Sequence, residues 1–323
     1  MEPTLEHVHQ AIEDFLNHCK FEKKLSDKTL KAYGIDLQQF LMYLNDNTDI
    51  ADIRAIDKHV LSKYLDVIYE KGKPKTIKRK IATLRAFFNY LEFEDRVVVS
   101  PFRKMQVKVE QDETTPEILT PLEIEALLTH VYKLREASRY QSEIRQKALI
   151  RDIAILELLL ESGMRVSELC NLEVTHVDLQ ENKIRIAGKG LRERTIPMVG
   201  EAAIRAMQAY ERTHASALES SEFWFLNRDS KKISDQSVRA LISKYSQGAG
   251  IQKNVTPHTF RHTLATMLLE SGWDIRAIQY FLGHSTITTP QIYIKVSEET
   301  QRSFLEGNHP RQKIQINRPQ IKL

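Results

Sequence analysis

The chain has 323 residues, of which 41% are hydrophobic and 28% charged, a balance typical of globular proteins and a length that favours two domains. Its net charge of +4 is too small to establish nucleic-acid binding by itself. Neither a membrane-spanning run nor a secretory signal pattern occurs, so we expect no membrane association. Two cysteines, Cys19 and Cys170, argue against a disulfide framework and favour the cytoplasm.

The first hundred residues or so predict a bundle of helices. Ser26 can cap one helix and Asp57 the next, because each precedes apolar residues at helical spacing. The clearest helix covers residues 76–91, where the apolar residues fall on one stripe. Its members are Ile77, Ile81, Leu84, Phe88 and Leu91.

The same region is strongly basic. Residues 71–85 hold seven basic side chains and no acidic one, which indicates either a solvated face or a surface for a phosphate backbone. The helix can bury its stripe and offer cations from both flanks, with Lys78 and Arg85 on one side and Arg79 on the other. The candidate DNA-binding residues are Lys73, Lys75, Lys78, Arg79 and Arg85.

Polar residues 110–116 interrupt the helical pattern and predict a linker. We expect a helical domain over 1–105, a linker over 106–117, a second domain over 118–308 and a basic tail over 309–323. The second domain begins with Thr120, Pro121 and Glu123, the pattern of a capping box. The tail either stays mobile or docks on a neighbouring copy.

The second domain predicts helices around one small β-hairpin. An apolar helix through 153–160 should end at Gly163, and residues 183–198 alternate like two strands joined at Gly188-Lys189-Gly190. Further helices are predicted at about 200–215, 235–248, 257–271 and 274–282. The fold class is therefore mainly α with a small antiparallel β-sheet in the second domain, arranged as a two-domain clamp.

Arg165 is the first candidate for anion binding. It lies just after Gly163, where a helix ends and another begins, so its guanidinium and backbone amides can converge on one anion. Glu168, one turn later, could fix the arginine or contact a neighbour. The alternative is a surface arginine in a helix–turn–helix.

The segment from Thr256 to His262 is the sharpest local signal. Thr256 and Pro257 start a helix that places His258 and Arg261 on one face. His258 and His262 have a zinc-like spacing, but the zincin pattern needs a Glu directly after the first histidine. We therefore expect no metal here, and a structural histidine near a cap is the alternative.

Two further residues complete the candidate set. His284 follows the glycine that ends a helix, and Tyr293 lies at the start of the next one. Tyr280 is a rival nucleophile, although its apolar neighbours indicate a core position. Lys189 could point towards a substrate or into solvent, but its loop lacks the pattern of a nucleotide-binding loop, which disfavours nucleotide hydrolysis.

Five motifs in this order resemble the tyrosine recombinase (phage integrase) family. They are Gly163–Leu169, the Lys189 hairpin, His258–His262, Leu282–His284 and Tyr293. The resemblance covers nearly the whole chain and is strongest to bacterial Xer-type recombinases and related transposon or integron integrases. It implies a site-specific recombinase that cleaves and rejoins double-stranded DNA through a covalent 3′-phosphotyrosine and a Holliday junction, without metal, ATP or any other cofactor. The implied assembly is a homo-tetramer, or an Xer-type hetero-tetramer, on two DNA sites in the bacterial or archaeal nucleoid.

The resemblance also implies roles for individual residues. Arg165 and Arg261 would bind the scissile phosphate, Lys189 would protonate the leaving 5′-oxygen, His258 would accept the phenolic proton, His284 would hydrogen-bond the phosphate, and Tyr293 would attack. A free phenol has a pKa of about 10, so such a nucleophile needs a base and nearby positive charge. Two departures are Pro290 before the tyrosine and a stretch over 132–147 that looks like a helical insertion.

Two other functions fit parts of this pattern. A type IB topoisomerase would use the same tyrosine chemistry to relax one duplex, and a non-catalytic DNA-binding protein could keep the fold. The size and the Xer-like motifs disfavour the first, and the complete set of candidate residues disfavours the second.

Overall fold

The computed structural model describes residues 6–48, 50, 52–107, 117–187, 193–283, 302, 305, 306 and 309–314. The chain divides into two units, Met1–Thr114 and Thr115–Leu323, and each encloses its own hydrophobic core. Among the described residues, no helix is both long and apolar enough to cross a membrane.

The first unit is a bundle of helices. They are α1 (Glu6–Phe21), α2 (Asp27–Asn47), α3 (Lys58–Lys71) and α4 (Pro74–Phe93). Ser26 accepts a hydrogen bond from the backbone of Thr29 and caps α2, and Asp57 accepts from His59 and Val60 and caps α3, as predicted. These caps satisfy backbone amides that have no partner within a helix, which fixes where each helix begins.

The core of the first unit is rich in aromatic rings. Phe40, Phe87 and Phe88 are fully buried, and Phe88 meets Phe40 and Phe87 edge-on at 6.3 and 5.5 Å, an arrangement that adds to the stabilisation from burial. All five members of the predicted apolar stripe on α4 are buried as well. The opposite flanks of α4 therefore remain available to solvent.

The second unit combines helices with one small sheet. Its helices are α5 (Pro121–Ala137), α6 (Glu143–Ser162), α7 (Val166–Cys170), α8 (Glu201–Leu218), α9 (Asp235–Gly248), α10 (Pro257–Glu270) and α11 (Ile275–Leu282). The capping box at Thr120 and Glu123 is present as predicted. The stretch 132–147, interpreted as an insertion, forms the end of α5, a short 3-10 turn and the start of α6.

The sheet is antiparallel and has the order β1-β2-β3. Its strands are β1 (Val177–Asp178), β2 (Lys183–Ala187) and β3 (Glu193–Pro197). The predicted hairpin is confirmed: Ile184 lies opposite Ile196, and both are fully buried. Strand β1 was not predicted, because two residues are too few to show an alternating pattern.

Helix α6 runs through the core of the second unit and ends at Gly163, as predicted. Gly163 has a φ of +55°, and a Cβ atom there would come within 2.8 Å of Leu282 and 3.0 Å of Leu264. Glycine is therefore required both for the left-handed backbone and for close packing. This close approach brings the end of α6 against α10 and α11.

Residues 309–314, which the sequence assigns to the basic tail, pack against the second unit. Arg311 is 5% exposed and forms two 2.8 Å hydrogen bonds with Glu157 of α6, which also accepts one from Tyr132. His309 is fully buried and its Nε2 lies 3.0 Å from the carbonyl oxygen of Glu161. Burial alone would lower the pKa of Arg311, but the charge of Glu157 raises it.

Candidate active site

Arg165 is the N-cap of α7 and is held at both ends of its guanidinium. Its Nη1 donates to Glu168 Oε1 at 2.8 Å, and its Nη2 donates to the carbonyl oxygen of Gly283 at 2.7 Å. Its backbone N–H also donates to Glu168 Oε2 at 2.8 Å, which ties the start of α7 to its first turn. About a third of the side chain, 35%, stays exposed, so the oriented guanidinium can still reach a ligand.

Arg261 projects from α10 and is almost completely buried. Its Nη1 donates to the carbonyl oxygen of Gly163 at 2.9 Å and its Nη2 to that of Leu282 at 2.6 Å. Burial, followed by the positive charge of Arg165, lowers the pKa of Arg261 to about 10. The guanidinium therefore remains charged at neutral pH. Because burial and Arg165 disfavour this charge, a bound anion would stabilise it strongly.

Both arginines meet at the C-terminal end of α11. Leu282 and Gly283 supply the two carbonyl acceptors, and this end of a helix carries partial negative charge that favours cations. Gly283 adopts a left-handed φ of +70° and caps the helix. The residue that follows in the chain is His284, another member of the predicted set.

Glu168 is the acidic centre of this cluster. It accepts two hydrogen bonds from Arg165 and two more from Arg194 of β3, at 3.0 Å to Oε1 and 2.8 Å to Oε2. Burial would raise the pKa of Glu168, but the hydrogen bonds and charge of Arg194 and Arg165 outweigh it and lower the pKa. The carboxylate is thus ionised, and each of its oxygens accepts two hydrogen bonds. Glu168 fixes Arg165, as expected, and also contacts a neighbouring residue, Arg194.

Sequence reasoning missed Arg194, although a signal exists. Arg194 stands two residues before the buried Ile196 in β3, so alternation places its side chain on the core-facing side of the strand. A largely buried arginine, here 12% exposed, needs an acidic partner. Two guanidiniums then bind one carboxylate, and Arg261 lies near enough to interact with the charges of all three groups, which leaves a local excess of positive charge.

His258 lies in the first turn of α10, after the predicted cap at Thr256. It is exposed, whereas Arg261 one turn later is buried. The backbone amides of this first turn point towards the same end of the helix, where negative charge is favoured. Among the described residues, no three His, Cys, Asp or Glu side chains are grouped so that they could hold a metal ion.

Three predicted site residues lie outside the described part of the chain: Lys189, His284 and Tyr293. The rival nucleophile Tyr280 lies within it, on α11, and is half-buried rather than a core residue. The described cluster therefore contains the two predicted phosphate-binding arginines, and His258 lies on the same helix as one of them.

The candidate DNA-binding residues lie on or next to α4 in the first unit. Lys73, Lys75 and Lys78 are exposed. Arg85 is also exposed, and its guanidinium carbon lies 5.6 Å from the centre of the Phe102 ring.

Arg79 differs from these residues because it has a buried partner. Its Nη1 donates to Asp36 Oδ2 at 2.5 Å, and Asp36 is 1% exposed. The same carboxylate oxygen accepts the hydroxyl of Thr83 at 3.0 Å. Arg79 keeps 42% of its side chain exposed, so the pair links the surface of α4 to the interior of the unit.

Comparison with known proteins gives the same assignment for both units. The model of the Phage integrase family matches residues 117–300, and that of the phage integrase N-terminal SAM-like domain matches residues 12–95. A tyrosine recombinase of Agathobacter rectalis is 38% identical over 300 residues, covering 93% of this chain and 96% of the relative. Tyrosine recombinase XerC of Thermodesulfovibrio yellowstonii is 35% identical over 308 residues, covering 93% and 96%.

The fold is also that of a solved recombinase complex. The XerH site-specific recombinase, in a post-cleavage complex with palindromic difH substrate, superposes with a TM-score of 0.67. The alignment covers 94% of this chain and 83% of that one, at 20% identity. The mainly helical fold class with a small antiparallel sheet is thereby confirmed.

Proposed function

The chain belongs to the phage integrase family and is a tyrosine site-specific recombinase, and from this premise we propose that Tyr293 cleaves double-stranded DNA at a phosphate held by Arg165 and Arg261. The substrate is a specific site on a DNA duplex. The product of cleavage is a covalent 3′-phosphotyrosine and a free 5′-hydroxyl.

The proposed cleavage is a single displacement at phosphorus. The phenolic oxygen of Tyr293 attacks the scissile phosphorus, its proton passes to His258, and the bond from phosphorus to the 5′-oxygen breaks. Lys189 gives a proton to the leaving oxygen, and His284 donates a hydrogen bond to a non-bridging oxygen. Rejoining is the reverse displacement by a 5′-hydroxyl from another strand, so the energy of the phosphodiester is conserved.

One observation carries this proposal: Arg165 and Arg261 come from separate helices, yet they donate to the two successive carbonyls before His284, Arg165 to that of Gly283 and Arg261 to that of Leu282. Two guanidiniums fixed side by side can neutralise the non-bridging oxygens of a phosphodiester as charge builds in the transition state. Because these donors are already oriented, little reorganisation is needed when the substrate binds.

The first unit supplies the sequence-independent part of DNA binding in this proposal. Lys73, Lys75, Lys78 and Arg85 are exposed cations along one helix and its start, which suits contacts to successive phosphates. Arg79 contributes the exposed part of its guanidinium while its other side stays on Asp36.

We propose that four copies act on two sites. Exchange between two duplexes requires one cut in each of four strands, and each chain carries one Tyr293. The assembly is a homo-tetramer or an Xer-type hetero-tetramer. Single-particle mass measurement of complexes with one site and with two joined sites distinguishes two bound copies from four.

The test of the nucleophile uses a nicked duplex, in which the short strand beyond the cut diffuses away and traps the adduct. Wild-type protein should form a covalent adduct that peptide mass spectrometry maps to Tyr293. Tyr293→Phe should bind the same duplex with unchanged affinity and form no adduct, whereas the matched variant Tyr280→Phe should react like the wild type. An adduct that persists in Tyr293→Phe and disappears in Tyr280→Phe would reverse the assignment.

A second arm separates recombination from relaxation. Two differently labelled duplexes carrying the site should exchange strands in the presence of wild-type protein. Relaxation of supercoiled DNA without any exchange would assign the chemistry to a topoisomerase instead.

A further inference from the structure

Arg194 contacts both groups that accept hydrogen bonds from the Arg165 guanidinium in the described part of the second unit. It hydrogen-bonds both oxygens of Glu168, the acceptor on one side of Arg165. Its guanidinium also lies against Gly283, the acceptor on the other side, since a Cβ atom built there would be 2.5 Å from Arg194 Nη1. Glu168 and Gly283, the two partners of the Arg165 guanidinium, are thus both in contact with Arg194.

We propose that Arg194 is a positioning residue for DNA cleavage, which acts through Glu168 to hold Arg165 in the orientation that binds the scissile phosphate. This inference rests on the proposed function, because it assigns a task to Arg165 in that reaction. Arg194 itself need not touch the substrate.

The geometry of the contact explains why an arginine is needed. Two parallel N–H groups of Arg194 meet the two oxygens of Glu168, the fork-to-fork pairing that fixes a carboxylate in its plane. A lysine has one ammonium nitrogen on a flexible stem and cannot hold both oxygens in this way. The Glu168 carboxylate would then be free to rotate, and the hydrogen bond from Arg165 Nη1 to it would no longer fix the guanidinium.

The burial of the cluster makes the effect specific. Arg194 is 12% and Glu168 11% exposed, so water cannot readily replace a lost hydrogen bond. Arg165 is 35% exposed and has no other fixed acceptor among the described residues than Glu168 and Gly283. The orientation of the Arg165 guanidinium therefore depends on Glu168 and Gly283, and on Arg194, which contacts both.

The first test compares Arg194→Lys with the wild type in single-turnover cleavage of the nicked duplex. Lysine keeps the positive charge, so DNA affinity should stay within about twofold while the cleavage rate falls roughly 10- to 100-fold, the range for a misplaced catalytic group. Thermal unfolding identifies a temperature at which both proteins are folded. Arg185→Lys is the matched control, because Arg185 is an exposed arginine on β2 of the same sheet, and its rate should not change.

A double-mutant cycle tests the route through Glu168. Glu168→Gln should slow cleavage by a similar factor, and adding Arg194→Lys to it should slow cleavage little further, because the two changes break the same connection. Multiplied effects in the double variant would overturn the inference, as would an Arg194→Lys protein that cleaves at the wild-type rate.

A sulfur-bridged substrate excludes the neighbouring explanation. Arg194 lies on the strand that follows the Lys189 loop, so its loss could instead disturb protonation of the leaving group. A thiol has a pKa of about 8.5 and leaves without an acid, so a 5′-bridging sulfur should rescue Lys189→Ala but not Arg194→Lys. Rescue of Arg194→Lys would overturn the inference. Failure of the proposed function itself would show separately, as a wild-type adduct at a residue other than Tyr293.

Discussion

The basic residues of α4 and the arginines of the second unit carry the same charge but are held in opposite ways. Lys73, Lys75 and Lys78 are exposed and project into solvent from the first unit. Arg165, Arg194 and Arg261 are buried to differing degrees, and each is fixed by named acceptors. Exposed cations attract a DNA backbone at any register, whereas oriented cations can stabilise one phosphate at one position.

Arg79 and Arg311 combine features of both groups, because each lies in a basic stretch and also has a fixed partner. Each is a cation in a basic stretch of sequence, yet each pairs with a buried carboxylate, Asp36 or Glu157. A basic residue in such a stretch can therefore be part of the fold as well as part of the charge. The following variants test whether this division by burial predicts what each cation does.

The largest effect on stability is expected for Arg311→Ala. Removing one partner of a buried ion pair leaves Glu157 uncompensated, which should lower the free energy of unfolding by about 3–5 kcal/mol. Lys133→Ala on α5 is the control, because this exposed lysine should change stability by less than about 0.5 kcal/mol. Urea denaturation measures both. Equal values for the two variants would show that a buried and an exposed cation contribute alike to stability.

Among the arginine variants, Arg261→Ala should have the largest effect on cleavage. The loss of one fixed donor to a developing oxyanion typically costs about 10²–10³-fold in rate. The variant also leaves the carbonyls of Gly163 and Leu282 without their donor, so stability should fall as well. Single-turnover cleavage at a temperature where the variant is folded separates the two losses. Cleavage at the wild-type rate would contradict the assignment of Arg261.

Arg79→Ala and Lys78→Ala remove two neighbouring cations of α4, one paired with a buried carboxylate and one exposed. Arg79→Ala should lower the free energy of unfolding by roughly 1–3 kcal/mol, since Asp36 loses its charged partner but water can approach through the exposed part. Lys78→Ala should leave stability unchanged and instead reduce the slope of log affinity against log salt by about 1. If both variants changed only the salt slope, the pairing of Arg79 with Asp36 would not contribute to the stability of the fold.

The smallest predicted effect concerns acid stability. Because the folded pKa of Glu168 is lowered, its ionised form stabilises the protein above the ordinary carboxyl pKa of about 4.3. That contribution is lost as the pH falls from there through the lower folded pKa. The stability difference between the wild type and Glu168→Gln should therefore be constant from pH 7 to about pH 5 and shrink below that. A difference that grows towards low pH would show that the carboxylate is not favoured in the folded state.

Most of the secondary structure could be predicted because its causes are local. Ser26, Asp57 and Thr120 start helices with their own side chains, and Gly163 ends one. Strand β1 could not be predicted, because the pairing with β2 that creates it is a tertiary contact.

The site could be predicted in part, and the division follows the same reasoning. Motifs identify Arg165 and Arg261 as residues for an anion, but part of their orientation comes from main-chain carbonyls of Gly163, Leu282 and Gly283. Every residue has a carbonyl, so the sequence does not mark these three as acceptors. Arg194 lies in the Lys189 hairpin, but the motif singles out only the lysine, and the partner of Arg194 is 26 residues away. The partner of Arg79 is 43 residues away, so its structural role was equally hidden.

In the proposed reaction, Arg165 and Arg261 act by neutralising the charge of one scissile phosphate. Replacing one non-bridging oxygen of that phosphate by a methyl group removes its negative charge and, with it, part of the need for a guanidinium. Arg261→Ala should then cleave the methylphosphonate duplex at least about tenfold faster, relative to the wild type, than it cleaves the ordinary duplex. The same relative loss on both duplexes would mean that Arg261 maintains the structure of the site and does not neutralise the phosphate.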